Sequence, residues 1–202
     1  MSLRSYLFYC FCCLVLLTGK SEEKPFSSNI LFVGNSLTYT NDLPKLIQEI
    51  GKEKGNRIKY TSLTLPNYAL EDHWNEGQLQ DYIKSEKFDF VIVQQGPSSQ
   101  PEGRTMLFEY GQLIKTLCDN HNTKLAFYMV WPSRTYYHTF DGVIQNYTEA
   151  SLKTQSILCP VGKVWKAHFD QTNDFSYYGP DGFHPSLKGS KVAAKIIYES
   201  LF

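Results

Sequence analysis

Three short apolar runs constrain this chain more than anything else in its sequence: Ile30–Val33 (ILFV), Phe88–Val93 (FDFVIV) and Lys124–Val130 (KLAFYMV). Runs of this length with almost no polar alternation read as strands buried on both faces. Such strands need cover on two sides, and the segments between them can supply it. Leu43–Lys54 carries Leu43, Leu46, Ile47 and Ile50 at helical spacing. Pro101–His121 is expected to be a long helix with Met106, Leu107, Tyr110, Leu113, Ile114 and Leu117 facing inward. Arg57–Leu65 alternates as a strand does. Glu76–Lys84 and Tyr147–Gln155 are read as helices, Ile157–Val161 as a short strand, and Leu187–Leu201 as a closing helix. Alternation of this kind predicts an α/β fold, with a parallel sheet of about five strands covered on both faces. No internal repeat or low-complexity tract divides it, so residues 28–202 are expected to form one domain after a linker at 20–27.

Residues 1–19 differ from the rest. Arg4 precedes the charge-free run Tyr6–Thr18, and Lys20, Glu22, Glu23 and Lys24 follow. That run is short for a bilayer span, which needs roughly 20 residues, and reads as a signal-peptide core. Export is therefore expected, to a periplasmic or extracellular location, with an uncleaved anchor or lipid attachment through Cys10, Cys12 or Cys13 as variants. Only Cys118 and Cys159 lie beyond this segment. They are read as small buried apolar residues rather than as a disulfide. Lys plus Arg equals Asp plus Glu at 20 each, which gives no pull toward nucleic acid.

In a parallel sheet, functional groups gather beyond the C-terminal strand ends. Gly34-Asn35-Ser36-Leu37-Thr38 follows the first strand directly, so Ser36 emerges where backbone N–H groups are unpaired. A plain capping role for Asn35 or Ser36 competes with a nucleophilic one. The serine of a Gly-x-Ser-x-Gly elbow is excluded, because Thr38 replaces the second glycine. Asp181-Gly182-Phe183-His184-Pro185-Ser186 precedes the last helix. A serine hydroxyl needs a base. His184 is suited to that task, and Asp181 could orient it. The competing reading is an Asx-turn at Asp181 with His184 on the surface. Two further segments offer uncharged donors: Asn67 through its backbone N–H, and Gln94 or Gln95 through a side-chain amide, unless the glutamines merely satisfy loop backbone groups.

These residues resemble the SGNH hydrolases, also called GDSL-type esterases and lipases. Gly34-Asn35-Ser36-Leu37 is similar to that family's first block, with Asn35 where Asp is usual, and Asp181-Gly182-Phe183-His184 to its last. LEDHW (Leu70–Trp74), QQGPSSQPEGR (Gln94–Arg104) and YMVWPS (Tyr128–Ser133) resemble one bacterial subgroup. The resemblance implies a flavodoxin-like three-layer α/β/α sandwich and a Ser36–His184–Asp181 triad. It also implies an oxyanion hole that includes the N–H groups of Ser36 and Asn67; in place of the family's missing asparagine, Gln95 is read as the third donor, with Gln94 and Ser98 behind it. Two departures stand out: Asn67 replaces the usual glycine of the second block, and the third block lacks its asparagine. The implied function is hydrolysis of small acyl esters, acetylated carbohydrate among them, through an acyl-enzyme. No metal or organic cofactor is called for. An acyltransferase with the same triad and a non-catalytic binding protein are the alternatives.

His73 is read as a hydrogen-bonding group at a helix start, and His121, His138 and His168 as surface residues. Trp131, Tyr136, Tyr137, Phe140, Tyr177 and Tyr178 are candidates either for a substrate cleft or for the core. Asn146-Tyr147-Thr148 is a glycosylation sequon.

Overall fold

The computed structural model describes residues 25–202; the leader and lipid-attachment expectations concern residues outside that range. Five parallel strands form one sheet in the order β2-β1-β3-β4-β5. They are β1 (Ser27–Gly34), β2 (Arg57–Thr64), β3 (Phe90–Val93), β4 (Lys124–Tyr128) and β5 (Ile157–Cys159). Ile30, Leu31, Phe32 and Val33 are fully buried, as are Val91 and Val93 beside them in register. Each such side chain contributes roughly 1.5–3 kcal/mol of transfer free energy, so the central pair anchors the body.

Helix α2 (Leu43–Glu53) connects β1 to β2 and packs with α8 (Leu187–Leu201) on one face. The helices α3 (Leu70–Glu76), α4 (Gln78–Ser85), α5 (Pro101–Asn120) and α6 (Phe140–Lys153) cover the other face, and α7 (Val161–Thr172) follows β5. A short turn of helix, α1 (Ser36–Tyr39), leads out of β1. The result is the three-layer α/β/α sandwich with a five-stranded parallel sheet. The strand order reverses between β1 and β3. The crevice beyond their C-terminal ends is where such a sheet places a ligand. At the other pole, the Phe26 ring packs 4.5 Å from Phe202.

Several boundaries differ from the sequence expectations, for identifiable reasons. The helix expected at Glu76–Lys84 is α4, which starts at Gln78, and a further helix, α3, precedes it, the two separated by Gly77, whose φ of 84° only glycine adopts without strain. Helix α6 starts seven residues early, because Phe140 and Val143 extend the buried stripe of Tyr147 and Ala150. Helix α7 was not expected at all, although Val161, Trp165 and Phe169 repeat at helical spacing and are buried. In α5 the buried stripe is Leu107, Gly111, Ile114 and Cys118, which rotates Leu113 into solvent at 42% exposure. Cys118 and Cys159 are buried and unpaired, and burial pushes both thiols up to about 12, which makes them inert.

Candidate active site

β1 ends at Gly34, and Asn35 turns the chain. Its side-chain oxygen accepts from the Leu37 N–H (3.1 Å) and its amide donates to the Tyr68 carbonyl (3.0 Å). Asn35 therefore caps α1, as the plainer reading held, and in doing so frees Ser36 to point outward. The Ser36 hydroxyl lies 2.9 Å from His184 Nε2. His184 Nδ1 lies 2.5 Å from Asp181 Oδ2. A carboxylate only accepts, so it fixes the proton on Nδ1 and leaves the Nε2 lone pair to the serine hydroxyl. Residues 148 positions apart in the chain are thus in hydrogen-bond contact.

The loop carrying His184 is held from several sides. Asp181 Oδ1 accepts from the backbone N–H groups of Phe183 and His184, both at 2.9 Å. One carboxylate makes the Asx-turn with one oxygen and orients the imidazole with the other. The His184 imidazole foremost, and then these backbone N–H groups, hold the Asp181 carboxyl below the usual carboxylate range. Gly182 sits at φ 68° and its carbonyl accepts from Arg134 N (2.7 Å), while Trp131 Nε1 donates to the Phe183 carbonyl (2.9 Å).

Beneath Ser36 lies a buried clamp. Gln94 Oε1 accepts from the Asn35 N–H (2.9 Å) and the Thr38 hydroxyl (2.9 Å), and its amide donates to the Gln95 carbonyl (2.9 Å). Gly34 makes this approach possible, since a Cβ there would stand 2.6 Å from Gln94 Oε1. His73 stands one turn into α3 as a hydrogen-bonding group, fully buried, but its Nε2 donates to the distant Gly34 carbonyl (2.9 Å) rather than to its own helix. Its Nδ1 has no partner among the described residues, and burial holds its pKa below the ordinary histidine value. Sequence reasoning missed this contact, although Leu70 and His73, three apart, mark one buried helix face.

The expected donors fare unequally. Among the described residues, the N–H groups of Ser36 and Asn67 have no protein acceptor. Asn67 holds a left-handed φ of 63°. Gln95 Oε1 accepts from the Leu70 N–H (2.7 Å), which fixes its amide orientation and leaves Nε2 against Met106 Sδ (3.8 Å). The Ser98 hydroxyl donates to the Gly96 carbonyl. Gln94, Gln95 and Ser98 all spend side-chain bonds on nearby backbone, as the less specific reading of the glutamines foresaw.

Trp131, Phe140, Tyr177 and Tyr178 are core residues, and Tyr137 is partly buried against Phe140. Tyr136, 61% exposed, instead lines a cleft of about 620 Å³. His121, His138 and His168 lie at or near the surface. Asn146 is buried, accepts from Arg104 and donates to the Ser98 carbonyl (2.6 Å), so the folded chain offers no room for a glycan there. Among the described residues no group of three His, Cys, Asp or Glu gathers as for a metal, and no helix is long and apolar enough to cross a membrane.

No family model and no curated protein matches the sequence. Solved structures do. A protein of Slackia heliotrinireducens provisionally assigned as an SGNH hydrolase is 21% identical, with a TM-score of 0.76 over 87% of this chain and 100% of its own. A lipase/acylhydrolase of Enterococcus faecalis is 14% identical, with a TM-score of 0.71 over 86% of this chain and 95% of its own. A variant of an acetyl-xylooligosaccharide esterase of Geobacillus stearothermophilus is 16% identical, with a TM-score of 0.62 over 86% of this chain and 94% of its own. The fold of this chain is that of the SGNH hydrolase structures.

Proposed function

We propose that this chain is a serine ester hydrolase with Ser36 as nucleophile, His184 as general base and acid, and Asp181 as the group that orients and stabilises the imidazole. One observation carries the reading: the unbroken row of hydroxyl, imidazole and carboxylate, with contacts of 2.9 Å and 2.5 Å. As the Ser36 Oγ–carbon bond forms, the hydroxyl proton passes to His184 Nε2. The resulting oxyanion is met by the free N–H groups of Ser36 and Asn67. His184 returns the proton to the departing alkoxide as its bond to carbon breaks. Water then repeats the cycle on the acyl-enzyme and releases the carboxylic acid.

The substrates in this reading are small acyl esters, acetylated carbohydrate among them, and the site of action follows export of the chain. Similarity in fold to lipases, acylhydrolases and an acetyl-xylooligosaccharide esterase agrees with ester chemistry. The test is hydrolysis of p-nitrophenyl acetate by wild type and Ser36→Ala, with fluorophosphonate labelling of both. Hydrolysis and labelling are expected in wild type alone. Equal hydrolysis by both would remove Ser36 from the reaction, and no activity or labelling in wild type would leave a binding protein.

A further inference from the structure

A cleft lined by Pro97, Ser99, Pro132, Tyr136 and Phe183 runs between the loop after β3 and the loop after β4. Ser36 does not line it, and it reaches the base through Phe183, whose ring packs against His184 with centroids 5.2 Å apart. Its volume of about 620 Å³ falls within the range of small-molecule sites. Its lining fits one kind of guest. No charged side chain contributes, so a carboxylate, phosphate or ammonium group would lose its water without compensation. Tyr136 presents an open ring face, and Pro132 and Phe183 add apolar wall. Between these surfaces stand Ser99, Gln100 and Ser133, whose side-chain polar groups make no hydrogen bond to the described residues. Apolar faces interleaved with unspent neutral donors and acceptors match a sugar ring, which has C–H faces and a hydroxyl edge. They suit an acyl chain poorly, because it would strand those polar groups.

Resting on the ester-hydrolase reading, we propose that this cleft is the subsite for the leaving alcohol, that the alcohol is an uncharged glycosyl unit, and that Tyr136 is its stacking platform. Placement decides between the two halves of the ester. His184 must protonate the leaving oxygen, so the alcohol lies on the His184 side, where Phe183 opens into the cleft. The acyl group then lies toward Asn67.

Kinetics on two acetate esters test this. One is a monoacetylated methyl glycoside. The other is ethyl acetate, whose alcohol has no ring to stack. Tyr136→Ala should raise KM for the glycoside ester about tenfold and change kcat/KM for ethyl acetate less than twofold. Tyr136→Phe, which keeps the ring, should restore the glycoside KM. Free methyl glycoside should inhibit the wild type competitively in the millimolar range and inhibit Tyr136→Ala more weakly. Equal effects of Tyr136→Ala on both esters, or a wild type that prefers p-nitrophenyl octanoate to every sugar acetate, would overturn the assignment of the cleft. Failure of the underlying chemistry would look different: ethyl acetate turnover that survives Ser36→Ala.

Discussion

The His184 and Asp181 side chains keep 39% and 50% of their surface in solvent, whereas Gln94, Thr38 and His73, which grip the turn carrying Ser36, keep about 1%. The two regions meet within a few residues of Gly34 and differ in kind. The rim holds groups that must exchange protons and meet a substrate, and its geometry comes from one row of contacts and a tight loop. The floor holds no charge. The Gln94 amide bonds the Thr38 hydroxyl and the backbone, and the His73 imidazole bonds the Gly34 carbonyl, so the floor fixes the position of Ser36 without competing for its proton. Reactivity is placed where water reaches, and precision where water does not.

Substitutions on the two sides should therefore fail differently. Ser36→Ala should lower kcat by at least about 10⁴-fold while leaving the thermal midpoint unchanged, read by ester hydrolysis and calorimetry. A lowered midpoint would mean that the rim also bears structural load. Asp181→Asn should cost about 10³-fold in kcat, because the amide no longer fixes the imidazole tautomer. Since the Asp181 carboxyl titrates below the usual range, it stays ionised through neutral and mildly acidic pH, and the acid limb of the wild-type rate profile should not track it.

On the floor, Gln94→Ala leaves the Asn35 N–H and the Thr38 hydroxyl without their acceptor. It should destabilise the fold by roughly 1–3 kcal/mol for each group left unpaired, measured by urea unfolding. By loosening Ser36 it should also lower kcat about 10²-fold. Activity lost with no stability lost would erase the distinction between rim and floor. Gln95→Ala should lower kcat less than tenfold, since its amide serves Leu70. A loss of about 10²–10³-fold would instead return it to the oxyanion hole.

The smallest effect concerns pH. The folded state holds the His73 pKa below its ordinary value, so the unfolded chain binds the extra proton first. Stability should fall as pH drops below about 6.5 and continue to fall to the lower folded pKa, with a slope of at most ~1.4 kcal/mol per pH unit from this group. Urea midpoints at pH 7.5, 6.5 and 5.5 should show a steeper acid loss in wild type than in His73→Gln.

The sheet was legible from the sequence because fully buried strands leave a signal that local chemistry cannot disguise, as in Ile30–Val33. The contacts among Ser36, His184 and Asp181 were legible because their segments stand at strand and helix boundaries. Helix α7 escaped because its period is carried by three large residues among polar ones. The clamp was only half visible. Gln94 was noticed at a strand end, but which atom an amide presents, and to which neighbour, is decided by folded geometry: here the space opened by Gly34. His73 was legible as a hydrogen-bonding group at a helix start, but its acceptor, the Gly34 carbonyl 39 residues away, is set by packing.

The Phe26–Phe202 contact has a practical consequence. Both ends of the described chain meet under the entry of β1, a strand of eight residues, or roughly 26 Å, from the reactive hydroxyl. Anything joined upstream of Phe26, whether a tether to a support, a fluorescent fusion or a neighbouring domain, would hold the molecule by its base and present its working end outward. Immobilised or fused forms should therefore keep open access to their substrates.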